Sequence, residues 1–145
     1  MGEQEAERVP ALIILGPGTD RAVVDCTRRV LTHYEIPFRE VGWHELEAVS
    51  SGELIRFKVI VFATGVTVTY SDEHLRLPEA SVVPVVMVIT TTTLPATWVP
   101  TSTRFIMTAG FGIAGGTNAG YLTARILSSS DPTLAALLTS RPYSN

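Results

Sequence analysis

The sequence predicts a three-layer α/β fold built on a parallel sheet, and three observations lead to this class. The chain has 145 residues, of which 46% are hydrophobic and 17% charged, so one domain-sized core is available. Short continuous apolar runs, typical of strands buried on both faces, alternate with stretches of helical periodicity. Strands that alternate with helices in one domain form right-handed crossovers, and helices then cover both faces of a parallel sheet.

Each predicted strand is a short run rich in apolar and β-branched residues. The five runs, in chain order, are Ala11–Leu15, Ile36–Val41, Lys58–Ala63, Val82–Ile89 and Arg104–Thr108. A sheet of five parallel strands with helices between them indicates a flavodoxin-like arrangement.

The helices follow from periodicity and from end signals. The first is predicted to begin after Thr19 or Asp20 as N-cap, because the apolar residues that follow share one helical face. The others are a short helix over His44–Ile55 that is broken or capped around residues 50–52, a long one over Gly115–Ser128, and a last one that starts at Asp131 and Pro132.

The expected organisation is a flexible arm over residues 1–10, one domain over residues 11–140 and a tail over residues 141–145. The segment from Thr90 to Thr103 is rich in threonine and proline and is predicted to be a loop. No apolar run approaches the roughly 20 residues of a membrane span, and no leader pattern is present. We therefore expect a cytoplasmic protein without a membrane partner.

Composition also limits the chemistry. A formal net charge of -3 argues against a nucleic-acid partner, which requires a basic face. The single cysteine, Cys26, allows no internal disulfide and no thiolate zinc cluster, and a buried structural thiol is the favoured interpretation. The sequence has no metal-ligand spacing and no nucleophile elbow, so neither a metal nor another cofactor is expected.

Candidate site residues follow the predicted strands, at the sheet edge where ligands of open parallel sheets bind. The first strand ends in GPGTD, which suits either a backbone cradle or a simple tight turn. The run from Gly110 to Gly116 favours a ligand cradle or a subunit contact, because its glycines are costly in entropy. His44 follows the second strand, where an imidazole is either a solvated side chain or a proton carrier.

The segment GIAGGTNAGYLTARIL, Gly112 to Leu127, resembles a glycine-rich stretch of the PurE family, the aminoimidazole ribonucleotide carboxylases and carboxyaminoimidazole ribonucleotide mutases. ALIILGPGTD is similar to that family's first strand and turn, and His44 falls near its S-A-H-R motif. The resemblance implies a homo-oligomer, an octamer in that family, with His44 and Asp20 as catalytic residues. The substrate-binding residues it implies are Gly16, Gly18, Thr19, Gly42, Gly65, Gly112, Ala114, Gly115 and Asn118.

This chain departs from the family pattern at four informative positions. Pro17 and Gly42 each replace a serine, Glu45 replaces a phosphate-pairing arginine, and Ile113 replaces a lysine. The expected function is a diverged PurE-like lyase or mutase that moves carbon dioxide on a small carboxylated substrate. The alternatives are a non-catalytic PurE-like ligand-binding or structural subunit, and a mutase of purine biosynthesis itself.

Overall fold

The computed structural model describes residues 9–16, 18–48, 51–65, 83–90 and 106–144. The strands are β1 (Ala11–Leu15), β2 (Phe38–Gly42), β3 (Val59–Thr64), β4 (Val85–Ile89) and β5 (Ile106–Phe111). The helices are α1 (Arg21–His33), α2 (Ser51–Leu54), α3 (Gly112–Ser128) and α4 (Pro132–Ser140), and a 3₁₀ helix spans Trp43–Ala48.

The strands form one sheet in the order β2-β1-β3-β4-β5, and every neighbouring pair is parallel. The order reverses at β1, because the chain passes from β1 to β2 on one side and then to β3 on the other. The parallel α/β class predicted from the alternation of elements is confirmed. The last strand and the helix after it have other bounds than predicted. β5 continues to Phe111 rather than ending at Thr108, and α3 begins at Gly112 rather than at Gly115.

The sheet is buried on both faces, which explains why the strands are continuously apolar. Ala11 and Ile13 pack into a cluster with α1, α3 and α4, whereas Leu12 and Ile14 point to the other face. All four side chains are at most 1% exposed. Burial of a leucine or isoleucine side chain stabilises the fold by about 1.5–3 kcal/mol, so both faces contribute to the core.

Helix α1 is fixed at its start by a cap and along its length by an ion pair. The Asp20 carboxylate accepts a hydrogen bond from the Ala22 N–H at 2.9 Å. Arg28 binds the Glu40 carboxylate of β2 through Nε and Nη2, the latter at 2.8 Å, and also pairs with Asp25. Hydrogen bonding to Glu40 raises the pKa of Arg28 against the opposing effect of burial. The pair therefore ties α1 to the edge strand.

The end of α1 has the hydrogen bonds of a Schellman motif with a glutamate at the position that glycine usually occupies. The Ile36 N–H donates to the Leu31 carbonyl at 2.9 Å, and the Glu35 N–H donates to the Thr32 carbonyl at 3.0 Å. Glu35 has φ 58°. This left-handed conformation costs about 1–2 kcal/mol for a residue with a Cβ atom.

The C-terminal residues lie against the end of α1 and the outer side of α3. The Tyr121 hydroxyl donates to the Tyr143 carbonyl at 3.0 Å, and the Tyr143 N–H donates to the Tyr34 hydroxyl at 3.2 Å. The rings of these tyrosines contact one another edge to face. Burial raises the pKa of Tyr121, and the neighbouring tyrosines add to this shift. The tail is thus joined to the domain through residue 143.

Helices α1 and α3 approach closely because α3 presents glycine to α1. A Cβ atom added to Gly116 would collide with the backbone carbonyl of Val23, and one added to Gly120 would lie 2.6 Å from the Cβ of Val30. The buried Thr27 hydroxyl donates to the Gly116 carbonyl at 2.6 Å. The glycines in this part of the run therefore have a packing role within the domain.

Several expectations lie outside the described residues. They are the arm over residues 1–8, Pro17, the loop over residues 91–103 and the terminal residue 145. Among the helices that the structure does describe, none has the length and apolarity to cross a membrane. A cytoplasmic location stays a prediction.

We expect Gly116→Ala to lower the free energy of unfolding by about 1–3 kcal/mol, because the added methyl group meets backbone that cannot rotate away. The gain in helix propensity, about 1 kcal/mol, is too small to offset this. Urea denaturation followed by circular dichroism measures the change. The matched control is Ile113→Ala in the same helix, where the side chain is 58% exposed and a change of at most about 0.5 kcal/mol is expected. Equal stability of the two variants would contradict the packing role.

Candidate functional site

The carboxyl edge of the sheet, at the point where the strand order reverses, is formed by the turn after β1 and the end of β3. Leu15 of β1 pairs with Gly42 on one side and Ala63 on the other. The Gly16 N–H then donates to the Ala63 carbonyl at 2.6 Å, so the turn continues alongside β3. Gly16 is buried, and a Cβ atom there would lie 2.6 Å from the Cβ of Thr64.

Hydroxyl groups hold this turn in place. The Thr19 hydroxyl donates to the carbonyl of Ala63 at 2.8 Å and also contacts the carbonyl of Gly16. The Asp20 N–H donates to the hydroxyl of Thr90 at 2.9 Å. The turn is therefore preorganised by three strands, and the Asp20 carboxylate is exposed at its end.

Two glycines bring the backbones of the β1 and β3 loops into contact. A Cβ atom added to Gly65 would lie 2.5 Å from the carbonyl oxygen of Gly18. Gly18 is exposed and has φ 66°, a conformation that glycine adopts without strain. The predicted residues Gly16, Gly18, Thr19, Asp20 and Gly65 are thus brought together at one place.

Sequence reasoning did not single out two threonines at this edge. Thr64 and Thr90 are 0% and 1% exposed, and the Thr90 N–H donates to the Thr64 carbonyl at 2.8 Å. Thr64 directly follows the buried apolar run VIVFA, and Thr90 directly follows the run VVMVI. A polar residue at the end of such a run is the signal that could have identified them.

His44 and Gly42 lie at the same edge but on the β2 side. The imidazole is 72% exposed, and its Nε2 atom is 3.7 Å from a carboxylate oxygen of Glu45. Its ring contacts Trp43 edge to face. A Cβ atom added to Gly42 would lie 2.8 Å from the Cε1 atom of this ring. The position thus leaves His44 open to solvent.

The glycine-rich segment does not form a loop from Gly112 onward. Gly112, with φ 65°, and Gly115 are buried in the first turn of α3, whereas Ala114 is exposed there. Asn118 is two residues from both Gly116 and Gly120, so it lies on the side of α3 turned away from α1. There it borders a pocket with Tyr121, Leu122 and Arg125.

Two helix N-termini reach the carboxyl edge side by side. Val23 packs on Gly116 and Val30 on Gly120, so α1 and α3 run in the same direction. The N-terminal end of each helix carries about half a positive charge. Asp20 offsets this charge at α1, whereas the first turn of α3 has no acidic residue. Within the described ranges, no group of three or more His, Cys, Asp or Glu residues could hold a metal ion.

No family model and no curated protein matches the sequence. The chain is similar to the sugar isomerase domain of an RpiR transcription factor from Sphaerobacter thermophilus, with a TM-score of 0.49, 14% identity, and coverage of 95% of this chain and 82% of that one. It is also similar to a putative phosphosugar isomerase involved in capsule formation from Bacteroides fragilis. That match has a TM-score of 0.43, 9% identity, and coverage of 98% of this chain and 80% of that one.

The predicted membership of the PurE family is wrong. No PurE model matches, and neither of these solved structures is a PurE carboxylase or mutase. Three further predictions depend on that membership and are wrong for the same reason. They are the carbon dioxide chemistry, the link to purine biosynthesis and the non-catalytic PurE-like alternative. The physical reason lies in Gly112 to Leu127, where close packing on α1 requires small residues and so produces a similar string.

We expect Thr90→Val to lower the free energy of unfolding by about 1 kcal/mol or more, because the Asp20 N–H then loses its acceptor. The two side chains have nearly the same shape, so the change isolates the hydroxyl group. The matched control is Thr139→Val in α4, where an exposed hydroxyl donates to the Ala135 carbonyl and the change should stay within about 0.5 kcal/mol. Thermal unfolding measures both. A Thr90→Val protein as stable as the control variant would show that the hydrogen bond does not hold the turn.

Proposed function

We propose that this protein binds a small molecule carrying both hydroxyl groups and an anionic group, of the sugar phosphate class, at the carboxyl edge between β1 and β3. The observation that supports this is the contact of Gly18 with Gly65 where the strand order reverses. In open parallel sheets, ligands bind in the crevice outside that reversal. Backbone without side chains lets a ligand approach closely there.

In this proposal, Asp20 binds the hydroxyl groups of the ligand. Its carboxylate is exposed at the end of the turn and accepts one hydrogen bond, from the Ala22 N–H. A carboxylate has about four lone-pair sites, so it can accept further hydrogen bonds from a ligand. Its backbone is held by Thr90, which limits the entropy lost on binding.

The anionic group is assigned to the start of α3 and to Arg21. The N–H groups in the first helical turn have no partner within the helix, and no carboxylate in the first turn of α3 competes for them. Arg21 is exposed in the first turn of α1, at the same edge of the sheet. A guanidinium binds a phosphate through two parallel hydrogen bonds.

Some of the remaining predicted site residues belong to the proposed binding site and others do not. The backbones of Gly112, Ala114 and Gly115 belong to the first turn of α3 and are part of it. His44 and Gly42 border the site across β1, and no chemical step is assigned to them. Asn118, on the other side of α3, has no part in it.

We also propose a three-layer, flavodoxin-like arrangement of the domain. The strand order supports it, and so does the packing of α1, α3 and α4 on the sheet face that carries Ala11 and Ile13. The expected homo-oligomeric state stays a prediction.

The experiment is isothermal titration calorimetry of the full chain with ribose phosphate, ribose and inorganic phosphate at constant ionic strength. We expect saturable binding of ribose phosphate and at least about 10-fold weaker binding of either fragment, because each makes only part of the contacts. Asp20→Ala should weaken binding of ribose phosphate by about 10-fold or more, the value of a charge-assisted hydrogen bond.

Asp131→Ala is the matched control, because Asp131 caps α4 as Asp20 caps α1. Both variants lose an N-cap at a cost of about 0.5–2 kcal/mol, but only the Asp20 variant should lose affinity. The proposal fails if none of the three compounds binds, or if both variants lose affinity equally.

A further inference from the structure

A cavity of about 320 Å³ opens at the amino edge of the sheet, opposite the site described above. Part of its wall is formed by the residues directly before three strands, Pro10, Pro37 and Lys58. The rest comes from the end of α1, the last turn of α3 and the first turns of α4. Its volume lies within the range of small-molecule sites, about 300–1,000 Å³.

One side of the wall is apolar and belongs to the core. Ile36, Leu127 and Leu134 are each 5% exposed, and the buried Tyr34 also lines the cavity. Leu137 packs against the same cluster. A surface of this kind binds the organic body of a ligand, because it removes apolar area from water.

The helix ends around the cavity favour a cation. Among the lining residues Glu35 and Asp131 are acidic and Lys58 is basic, and Arg141 pairs with Glu35 from beside the cavity. Helices α1 and α3 end at this edge, and helix C-termini carry about half a negative charge each. The positive end of α4 is already capped by Asp131, whose carboxylate accepts from the Leu134 N–H at 3.1 Å.

Glu35 is held beside the cavity by the backbone at the end of α1. Its left-handed conformation, with φ 58°, is one that glycine would adopt more readily. Arg141 lies 3.4 Å from its Oε2 atom, and the two side chains are 50% and 68% exposed. An exposed pair of this kind is weak, so a ligand can compete for the carboxylate.

We propose that this cavity binds a small organic cation, a primary amine carried on an apolar body. The body lies against Ile36, Leu127 and Leu134, and the ammonium group donates to the Glu35 carboxylate. This site is independent of the one at the carboxyl edge, and the two can be tested separately.

The test uses methyl NMR spectra of the full chain at neutral pH, titrated with phenylethylamine, phenylethanol and phenylacetate. These probes share an aromatic body and differ in charge. We expect the amine to bind with a dissociation constant of about 1 mM, the range for so few atoms, and to shift the methyl signals of Ile36, Leu127 and Leu134. Phenylethanol should bind about 2- to 5-fold more weakly, and phenylacetate more weakly still.

Three variants separate charge recognition from the fold. Glu35→Gln should reduce the preference for amine over alcohol to about unity, whereas Glu45→Gln at the other edge of the sheet should leave it unchanged. Arg141→Gln removes the competing cation and should strengthen amine binding about twofold, an effect that a purely structural role for Glu35 does not predict. Thr133→Trp places an indole at an exposed position of the wall and should block all three probes.

The proposal is overturned if phenylethanol binds the unmodified protein as tightly as the amine does. It is overturned equally if the signals that shift belong to residues elsewhere, or if no signal shifts at the solubility limit of the amine. Glu35→Gly serves as a second variant that relieves the left-handed backbone. It should lose the amine preference while unfolding at the same temperature or higher.

Discussion

The close approach of α1 and α3 over one face of the sheet is the contact on which the rest of the structure depends. It requires glycine at positions 116 and 120, because any side chain there would meet Val23 or Val30. The Thr27 hydroxyl satisfies the Gly116 carbonyl within this contact. With the helices this close, the side chains of β1, β3 and β4 on that face are sealed from water.

The same pair of helices gives the two edges of the sheet different electrostatic character. Because α1 and α3 run in the same direction, their N-terminal ends lie together at the carboxyl edge and their C-terminal ends at the amino edge. The first edge therefore favours an anion and the second a cation.

The glycine-rich segment shows why a run of small residues is ambiguous in a sequence. Glycine permits a ligand to approach a backbone, and it equally permits a helix to do so. The string from Gly112 to Leu127 resembles a ligand-binding motif, yet Gly116 and Gly120 serve helix packing. At the turn after β1, in contrast, Gly18 and Gly65 bring two loops together at the strand-order reversal, so their surroundings differ although their residue type does not.

The amino-acid sequence alone was enough to predict the parallel α/β class, the strands β1 and β3 to within a residue, and the N-cap Asp131. For the first helix it left Thr19 and Asp20 as alternative N-caps, and the structure shows Asp20 in that position. These features depend on local periodicity and on capping chemistry, which neighbouring residues specify. Two contacts depend on the folding of distant segments onto each other. Thr90 holds the turn at Asp20, 70 positions away, and α1 covers Gly116, 89 positions from Thr27. The cavity beside Glu35 was likewise beyond sequence reasoning. It is assembled from residues before three strands and at the ends of helices, and their meeting depends on strand order and helix packing rather than on any pattern within one segment.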